Sequence, residues 1–254
     1  MKPFLSKLIT AIILFIAFSY SSFGQTTEKK ITSRTYGWFS YFNTLQLSSK
    51  WSITTDFSER FFFDNGNQFQ NFYRSMANVN LGQNWVAGAG FAYVRSRTFD
   101  PASTSTLAVP ELRPYQEFSY RQKLTKVSFS HRYRIEERFI HKTANGELTE
   151  GYNFNFRFRY QFAFDYNLYK SKDNSRILNL RSADEVMFNA GKSIVNNPFD
   201  QNRFTVGLNY QPVKNLNVQL DYMYIFQQRS TAGLYNHGDV VRLQVFQRID
   251  LHKK

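Results

Sequence analysis

The chain has 254 residues, a formal net charge of +13, no cysteine and an aromatic content of 18%. Without cysteine it has no disulfide framework, thiolate metal site or cysteine nucleophile. Its mean hydropathy is −0.47 despite the many aromatic residues. This combination favours a thin, alternating apolar shell over contiguous apolar runs, and the length fits a single all-β domain.

The first 24 residues have the three regions of a secretory signal peptide. Two lysines flank the start of an apolar run from Leu8 to Phe18, and a small and polar stretch, SYSSFGQ, follows. The run is shorter than the ~20 residues that a membrane-spanning helix needs. The pattern therefore predicts a cleaved signal peptide over residues 1–24 and an exported mature protein.

The segment 152–169, YNFNFRFRYQFAFDYNLY, alternates without interruption. Its even positions carry aromatic residues or Leu168, and its odd positions are polar except for Ala163 and the final Tyr169. Because side chains alternate between the two faces of a strand, this segment predicts a β-strand with one ring-rich face and one polar face.

Ten further segments show the same alternation, and polar connections that are alternately short and longer separate them. The predicted strands are 35–47, 50–62, 69–81, 84–97, 112–124, 126–139, 151–169, 176–190, 201–211, 215–228 and 238–251. Most exceed the ~9–11 residues that a tilted strand needs to cross a bilayer. We therefore predict an all-β fold, a transmembrane antiparallel up-and-down β-barrel of 10–12 strands over residues 35–254. Residues 25–34 are left as an N-terminal extension.

Two questions stay open at this level. A lipocalin-like barrel or a sandwich would turn its apolar face inward, and alternation alone does not distinguish it from a membrane barrel. Eleven strands is also an odd number, whereas single-chain bacterial barrels have even numbers. Either residues 26–34 thread the lumen, or one strand is wrongly split or merged, and the segment 151–169 is the first suspect.

The second half of the chain resembles the DUF2490 family of bacterial outer-membrane proteins, which is common in Bacteroidota. The segments that carry the resemblance are HRYRIEERF (His131 to Phe139), FRFRY (Phe156 to Tyr160), DEVMFN (Asp184 to Asn189), FDQNRFTVGLNY (Phe199 to Tyr210) and LDYMY (Leu220 to Tyr224). The resemblance implies a barrel in the cell outer membrane and no established activity.

The polar faces of the strands carry many arginines and carboxylates. The predicted lumen charge network comprises Arg113, Glu117, Arg121, Arg132, Arg134, Glu136, Arg138, Arg157, Arg159, Asp165 and Arg203, and Asp56, Arg60, Arg74, Arg181 and Glu185 join it from other strands. Arginine and carboxylate form forked hydrogen bonds across a narrow barrel. Such ladders either fill the lumen and stabilise a structural barrel, or they line a narrow anion-preferring channel.

No catalytic, metal-binding or cofactor-binding motif is found, so we expect neither an enzyme nor a cofactor. A lipid-modifying outer-membrane enzyme, with His131 or His237 as the candidate histidine, and a membrane anchor subunit of an envelope complex remain as alternatives. Tryptophans at strand ends, Trp38, Trp51 and Trp85, are assigned to an interfacial girdle.

The expected partners follow from the basic charge. Lipopolysaccharide phosphates are the expected contacts of Arg95, Arg97, Lys142, Lys192 and Arg229, and a small anionic solute is the expected lumen ligand. We expect no nucleic acid, because alternation places arginines and stacking rings on opposite faces and the chain is exported.

Overall fold

A computed structural model describes residues 29–98 and 100–252, and these form a closed β-barrel. The predicted signal peptide lies outside the described residues. The strands are β1 (Lys30–Gln46), β2 (Trp51–Phe62), β3 (Gln68–Gly82), β4 (Trp85–Ser96), β5 (Val109–Lys123), β6 (Val127–Ala144), β7 (Glu147–Lys170), β8 (Ile177–Ala190), β9 (Phe199–Val213), β10 (Leu216–Gln228) and β11 (Leu234–Asp250). The predicted fold class is confirmed. No helix in the described ranges is long and apolar enough to cross a membrane.

One parallel strand pair closes the barrel. Each strand pairs antiparallel with the next along the chain, but β1 runs parallel to β11, with Lys30 opposite Leu234 and Gln46 opposite Asp250. An odd number of up-and-down strands requires this, because the first and last strands then point the same way. The expectation that every pair is antiparallel is therefore wrong at this seam.

The same seam corrects the assignment of the N-terminal segment. Residues 30–34, predicted as part of an extension, form the start of β1, because β11 offers them backbone partners from Leu234 onward. They do not thread the lumen. The suspected segment 151–169 is also not split, since it lies within the single strand β7.

The connections define two rims. The short-turn rim has the turns 47–50, 83–84, 124–126, 171–176 and 214–215, and the long-connection rim has 63–67, 97–108, 145–146, 191–198 and 229–233. In the turn 171–176, the Ser171 hydroxyl and the Ser175 N–H donate to Asp173 and hold the pKa of that carboxyl well below its usual range.

The connection predicted between the strands 126–139 and 151–169 is wrong. The segment HKTANGELTEG (residues 141–151) is a continuation of β6 and β7, which meet at a two-residue turn. Asn145 has a φ of 51° and Gly146 a φ of 81°, the conformation that an Asn-Gly hairpin turn of type I′ requires. The two strands therefore extend well beyond the rest of the long-connection rim.

The ring-rich face of the strands points outward around the barrel. Phe158, Phe204, Leu220 and Val241 are each more than 40% exposed. Such a large exposed apolar surface is unsuitable for contact with water, and it is the band that a transmembrane barrel presents to lipid.

The inner face is mostly polar but contains two apolar clusters. One lies on β3 to β5 and comprises Phe72, Ala92, Val94 and Tyr115. The other comes from strands on both sides of the seam and comprises Tyr36, Trp38, Phe62, Phe69, Met223, Ile225 and Val240. Trp38 is only 7% exposed, whereas Trp51 at the short-turn rim is 50% exposed. The assignment of Trp38 to an outer girdle is therefore wrong: in β1, aromatic residues occupy both faces, and the indole of Trp38 packs inside.

Candidate functional site

Glu136 on β6 is the centre of the charged lumen. Its side chain is 1% exposed, and it lies 3.2 Å from Nη1 of Arg113 and 2.7 Å from Nη1 of Arg159. Arg134 at 3.8 Å and Arg157 at 3.9 Å complete its surroundings. A buried carboxylate is tolerated only when opposite charges and hydrogen bonds replace its hydration. Four guanidinium groups do so here.

Glu185 on β8 is a second acceptor. Arg132 donates to it from β6 at 2.6 Å, and Arg159 donates from β7 at 2.8 Å. Arg203 on β9 lies farther away, at 3.9 Å. Because Arg159 also binds Glu136, one guanidinium bridges the two most connected carboxylates of the lumen.

Besides Asp221, two carboxylates of this network were missed by the sequence interpretation. Glu111 binds Arg113 at 2.8 Å and Arg138 at 2.6 Å. Asp200 binds Arg157 at 2.8 Å. Each stands one residue before a predicted strand, so each was read as part of a connection. The signal that could have identified them is their position, because each is an acidic residue next to a strand whose polar face carries arginine.

The remaining pairs are simpler. Arg134 donates to Glu117 through Nε at 2.8 Å, and Asp165 accepts from Arg181 at 2.7 Å and from Arg121 at 3.2 Å. Arg74 pairs with Asp56 at 2.7 Å, and both were predicted members of the network. Arg242 pairs with Asp221 at 2.8 Å, and neither of these two was predicted. They extend the network to β2, β3, β10 and β11.

Arg60 on β2 differs from all of these. Among the described residues, no carboxylate lies within ion-pair distance of it. Its guanidinium carbon lies 3.7 Å from the ring centroid of Trp38 and 4.1 Å from that of Phe72. Its Nη1 donates to Gln70 at 2.6 Å. Cation–π contact with two rings takes the place of an ion pair.

These contacts form a closed circuit around the lumen, which we call the constriction ring. In order it runs Arg113, Glu136, Arg159, Glu185, Arg203, Trp38, Arg60, Phe72 and back to Arg113. The step from Arg203 on β9 to Trp38 on β1 spans β10 and β11, with 5.1 Å between the guanidinium carbon and the ring centroid. Long side chains therefore narrow the lumen at this layer.

One cavity of about 1800 Å³ takes in both rims of the barrel. The carboxylates that line it are Asp56, Glu111, Glu117, Asp165, Glu185 and Asp200. The basic side chains that line it are far more numerous: Arg60, Arg74, Arg97, Arg113, Arg121, Lys123, Lys126, Arg132, Arg134, Arg138, Lys142, Arg157, Arg159, Lys170, Arg181, Arg203, Arg229 and Arg242. The cavity is therefore lined with excess positive charge.

The structure places the eleven predicted network residues on the inner side of the barrel, ten on the cavity wall and Glu136 buried behind it. Of the residues assigned to lipopolysaccharide, Arg97, Lys142 and Arg229 lie at the mouth of the cavity. Arg95 and Lys192 are exposed. Arg95 points outward because it has the parity of Tyr93 on β4.

The two histidines considered for catalysis lie on the outer face. His131 shares a hydrogen bond of 2.9 Å with the Tyr160 hydroxyl, and its ring contacts Phe162. His237 packs against Tyr224 with 4.3 Å between ring centroids. No cluster of histidine and carboxylate side chains suited to a metal ion is present in residues 29–98 and 100–252.

Comparison with known proteins supplies the family. A family profile described as "Protein of unknown function (DUF2490)" matches residues 35–236. The chain belongs to the DUF2490 family. The match covers β2 to β10 and most of β1, and it ends within β11, so the residues of the constriction ring all belong to the DUF2490 region.

A solved structure titled "NanC porin structure in rhombohedral crystal form" is similar to this DUF2490 barrel. The sequences are 11% identical, the match covers 84% of this chain and 98% of the other, and the TM-score is 0.47. No curated protein matches the chain.

Proposed function

We propose that this DUF2490 protein is an outer-membrane barrel that forms a narrow passage for small anions. The observation that carries the proposal is the single cavity from rim to rim with its excess of basic side chains. The exposed apolar band supports the membrane location, because only a lipid environment suits it.

Basic residues lie at both mouths of the cavity as well as in its middle. Lys123, Lys126 and Lys170 line the short-turn mouth. Arg97, Lys142 and Arg229 line the mouth at the long-connection rim. Rings of basic side chains attract anions and repel cations, and the effect is strongest where protein walls exclude bulk water.

The size of the cavity limits the solute. A strand of 15 residues tilted by about 40° has a height of about 40 Å. If the volume of about 1800 Å³ were spread evenly over that height, its mean cross-section would be about 45 Å². This suits small solutes and excludes polymers. The constriction ring makes the narrowest part smaller than this mean.

The proposed passage is tested by recording the conductance of the purified barrel in a planar bilayer. In a potassium chloride gradient, the reversal potential is expected to have the sign of chloride preference. A barrel whose arginine–carboxylate ladders fill the lumen would give no current above leak, and that result would refute the passage.

A matched pair of substitutions tests whether the lining sets the preference. Arg97→Gln removes a charge at the mouth, whereas Arg95→Gln removes the same charge two residues away on the outer face. Only Arg97→Gln is expected to shift the reversal potential toward zero. Equal shifts would mean that overall charge, and not the lining, decides the preference.

We also propose lipopolysaccharide phosphates as lipid partners. The support is that Arg95 and Lys192 are exposed near the long-connection rim. Exposed basic side chains close to a membrane surface attract anionic lipid head groups. Weaker co-purification of lipopolysaccharide with the Arg95→Gln/Lys192→Gln variant would support this, and unchanged co-purification would end it.

A further inference from the structure

Within the constriction ring, Arg60 and Trp38 each have a hydrogen-bond donor that the protein does not use. The Nε–H of Arg60 is buried and has no acceptor among the described residues, and the same holds for the indole N–H of Trp38. A buried donor without an acceptor costs about 1–3 kcal/mol. Such donors in a native structure call for an explanation, and a bound ion is one.

The positive charge around Arg60 is only partly compensated. The guanidinium groups of Arg203, Arg74, Arg113 and Arg159 are close enough to act electrostatically on Arg60. Arg74, Arg113 and Arg159 each have a carboxylate within 3.2 Å. Arg203 has its nearest carboxylate at 3.9 Å, and Arg60 has none among the described residues. Arg60 and Arg203 flank Trp38, at 3.7 Å and 5.1 Å from its ring.

The geometry restricts the chemistry of a ligand. Contacts with the rings of Trp38 and Phe72 and the hydrogen bond to Gln70 restrain the Arg60 guanidinium. A guanidinium favours acceptors with two oxygens, such as carboxylate and phosphate groups, because its donors form a planar fork. Of its donors, Nη1 is already used by Gln70, and the other edge is left without a protein partner.

We infer that Arg60, Trp38 and Arg203 form an oxyanion-binding subsite in the lumen, for a small solute that carries a carboxylate or phosphate group. The inference rests on the proposed passage, and it adds a preferred solute class and a position. Trp38 belongs to the apolar cluster at the seam, and Arg203 lies 3.9 Å from Glu185. The subsite therefore lies where the apolar cluster meets the network of arginine–carboxylate pairs.

Binding at the proposed subsite can be followed through the fluorescence of Trp38. The chain has three tryptophans, and Trp51 and Trp85 lie at the short-turn rim. The Trp51→Phe/Trp85→Phe variant therefore fluoresces from Trp38 alone. It is titrated in a maltoside detergent, which has no phosphate of its own, with inorganic phosphate, acetate and chloride at constant ionic strength. Phosphate and acetate are expected to change Trp38 emission saturably, and chloride more weakly because it accepts through a single atom.

Arg60→Gln in the single-tryptophan background is expected to weaken phosphate and acetate binding roughly tenfold or more, because charge-assisted hydrogen bonds are lost. Arg60→Lys keeps the charge and lacks the planar fork, so it is expected to weaken binding while preserving anion preference in conductance. Arg95→Gln, which removes an outward charge, is expected to bind like the parent. Heat-modifiable gel mobility confirms that each variant is folded.

The outcomes separate the subsite from the passage. If the barrel conducts anions but Trp38 gives no saturable response, or if affinity is unchanged in both Arg60 variants, the subsite is refuted and the passage stands. If the barrel does not conduct but oxyanions bind and Arg60→Gln abolishes binding, the passage is refuted and the subsite stands.

Discussion

The guanidinium of Arg60 lies over two aromatic rings, with its central carbon 3.7 Å from the ring centroid of Trp38 and 4.1 Å from that of Phe72. The two residues are directly adjacent in register, since Trp38 on β1 pairs with Arg60 on β2. Trp38 itself is 93% buried, its side chain being 7% exposed inside the barrel. The lumen was predicted to be lined by arginine–carboxylate ladders, but aromatic side chains also line part of it.

Trp38→Ala is expected to raise the conductance and lower the stability together. The substitution removes the bulkiest side chain of the constriction ring, so the passage widens at its narrowest layer. Truncation of a buried tryptophan costs about 3–5 kcal/mol of the free energy of unfolding. Planar-bilayer recording and urea unfolding in detergent measure the two effects. Trp51→Ala at the short-turn rim is the control and should change neither by much, because Trp51 is half exposed.

Glu136→Gln is expected to destabilise the barrel by about 3–5 kcal/mol, because four guanidinium groups lose a shared buried carboxylate. The same change adds net positive charge to the constriction ring, so the reversal potential should shift further toward the anion value. The control is Glu137→Gln on the outer face, where the carboxylate accepts only from Gln116 at 3.2 Å. Similar unfolding free energies for the two variants would show that Glu136 is not the centre of the network.

The parallel seam is tested by an engineered disulfide. The chain contains no cysteine, and Thr35 lies opposite Asp239 across β1 and β11. Residues opposite each other on adjacent strands fall within disulfide range. The Thr35→Cys/Asp239→Cys variant is therefore expected to oxidise readily and to change its gel mobility when unfolded.

The matched control for that disulfide is Thr35→Cys/Val245→Cys. Val245 is six residues farther along β11, which places it about 20 Å from Thr35. It should remain reduced under the same conditions. Crosslinking of the control in preference to the test pair would contradict the register of the seam.

Substitution by arginine in the outward apolar band is expected to lower the free energy of unfolding more at mid-height than at a rim. Val206 lies at mid-height on β9, opposite Tyr222, and Val213 ends the same strand at the short-turn rim. Both are exposed, at 38% and 49%. Val206→Arg is expected to cost about 2–4 kcal/mol in phospholipid vesicles and Val213→Arg about 0–1 kcal/mol. Equal, small costs would indicate that water and not lipid surrounds the barrel.

Much of this fold was predictable because alternation of aromatic and polar residues is a local property. The eleven strands agree with the predicted ones, and their bounds differ most at β1, β6, β7 and β11. For β6 and β7 the reason is the Asn145–Gly146 turn, where polar residues continue the strands beyond the apolar band. Local composition there resembles that of a loop, although the backbone pairing continues.

The closure of the barrel and the centre of the site were not predictable in the same way. Nothing in β1 or β11 alone specifies that they pair in parallel, because pairing between the chain ends depends on the whole strand count. The position of Trp38 depends on that seam: β1 has aromatic residues at Trp38 and Phe39 on opposite faces, so composition does not identify the inner one. Arg203 and Trp38, far apart along the chain, meet only after the sheet has closed.

The parallel seam also gives the molecule a direction. Lys30 starts β1 at the rim of the long connections, and Asp250 ends β11 at the opposite rim. In an even-stranded barrel both points would share a rim. In the proposed membrane location, a peptide tag fused directly ahead of Lys30 and another fused after Leu251 would therefore lie on opposite sides of the bilayer. Antibody accessibility of the two tags on intact cells would then show which rim faces outward.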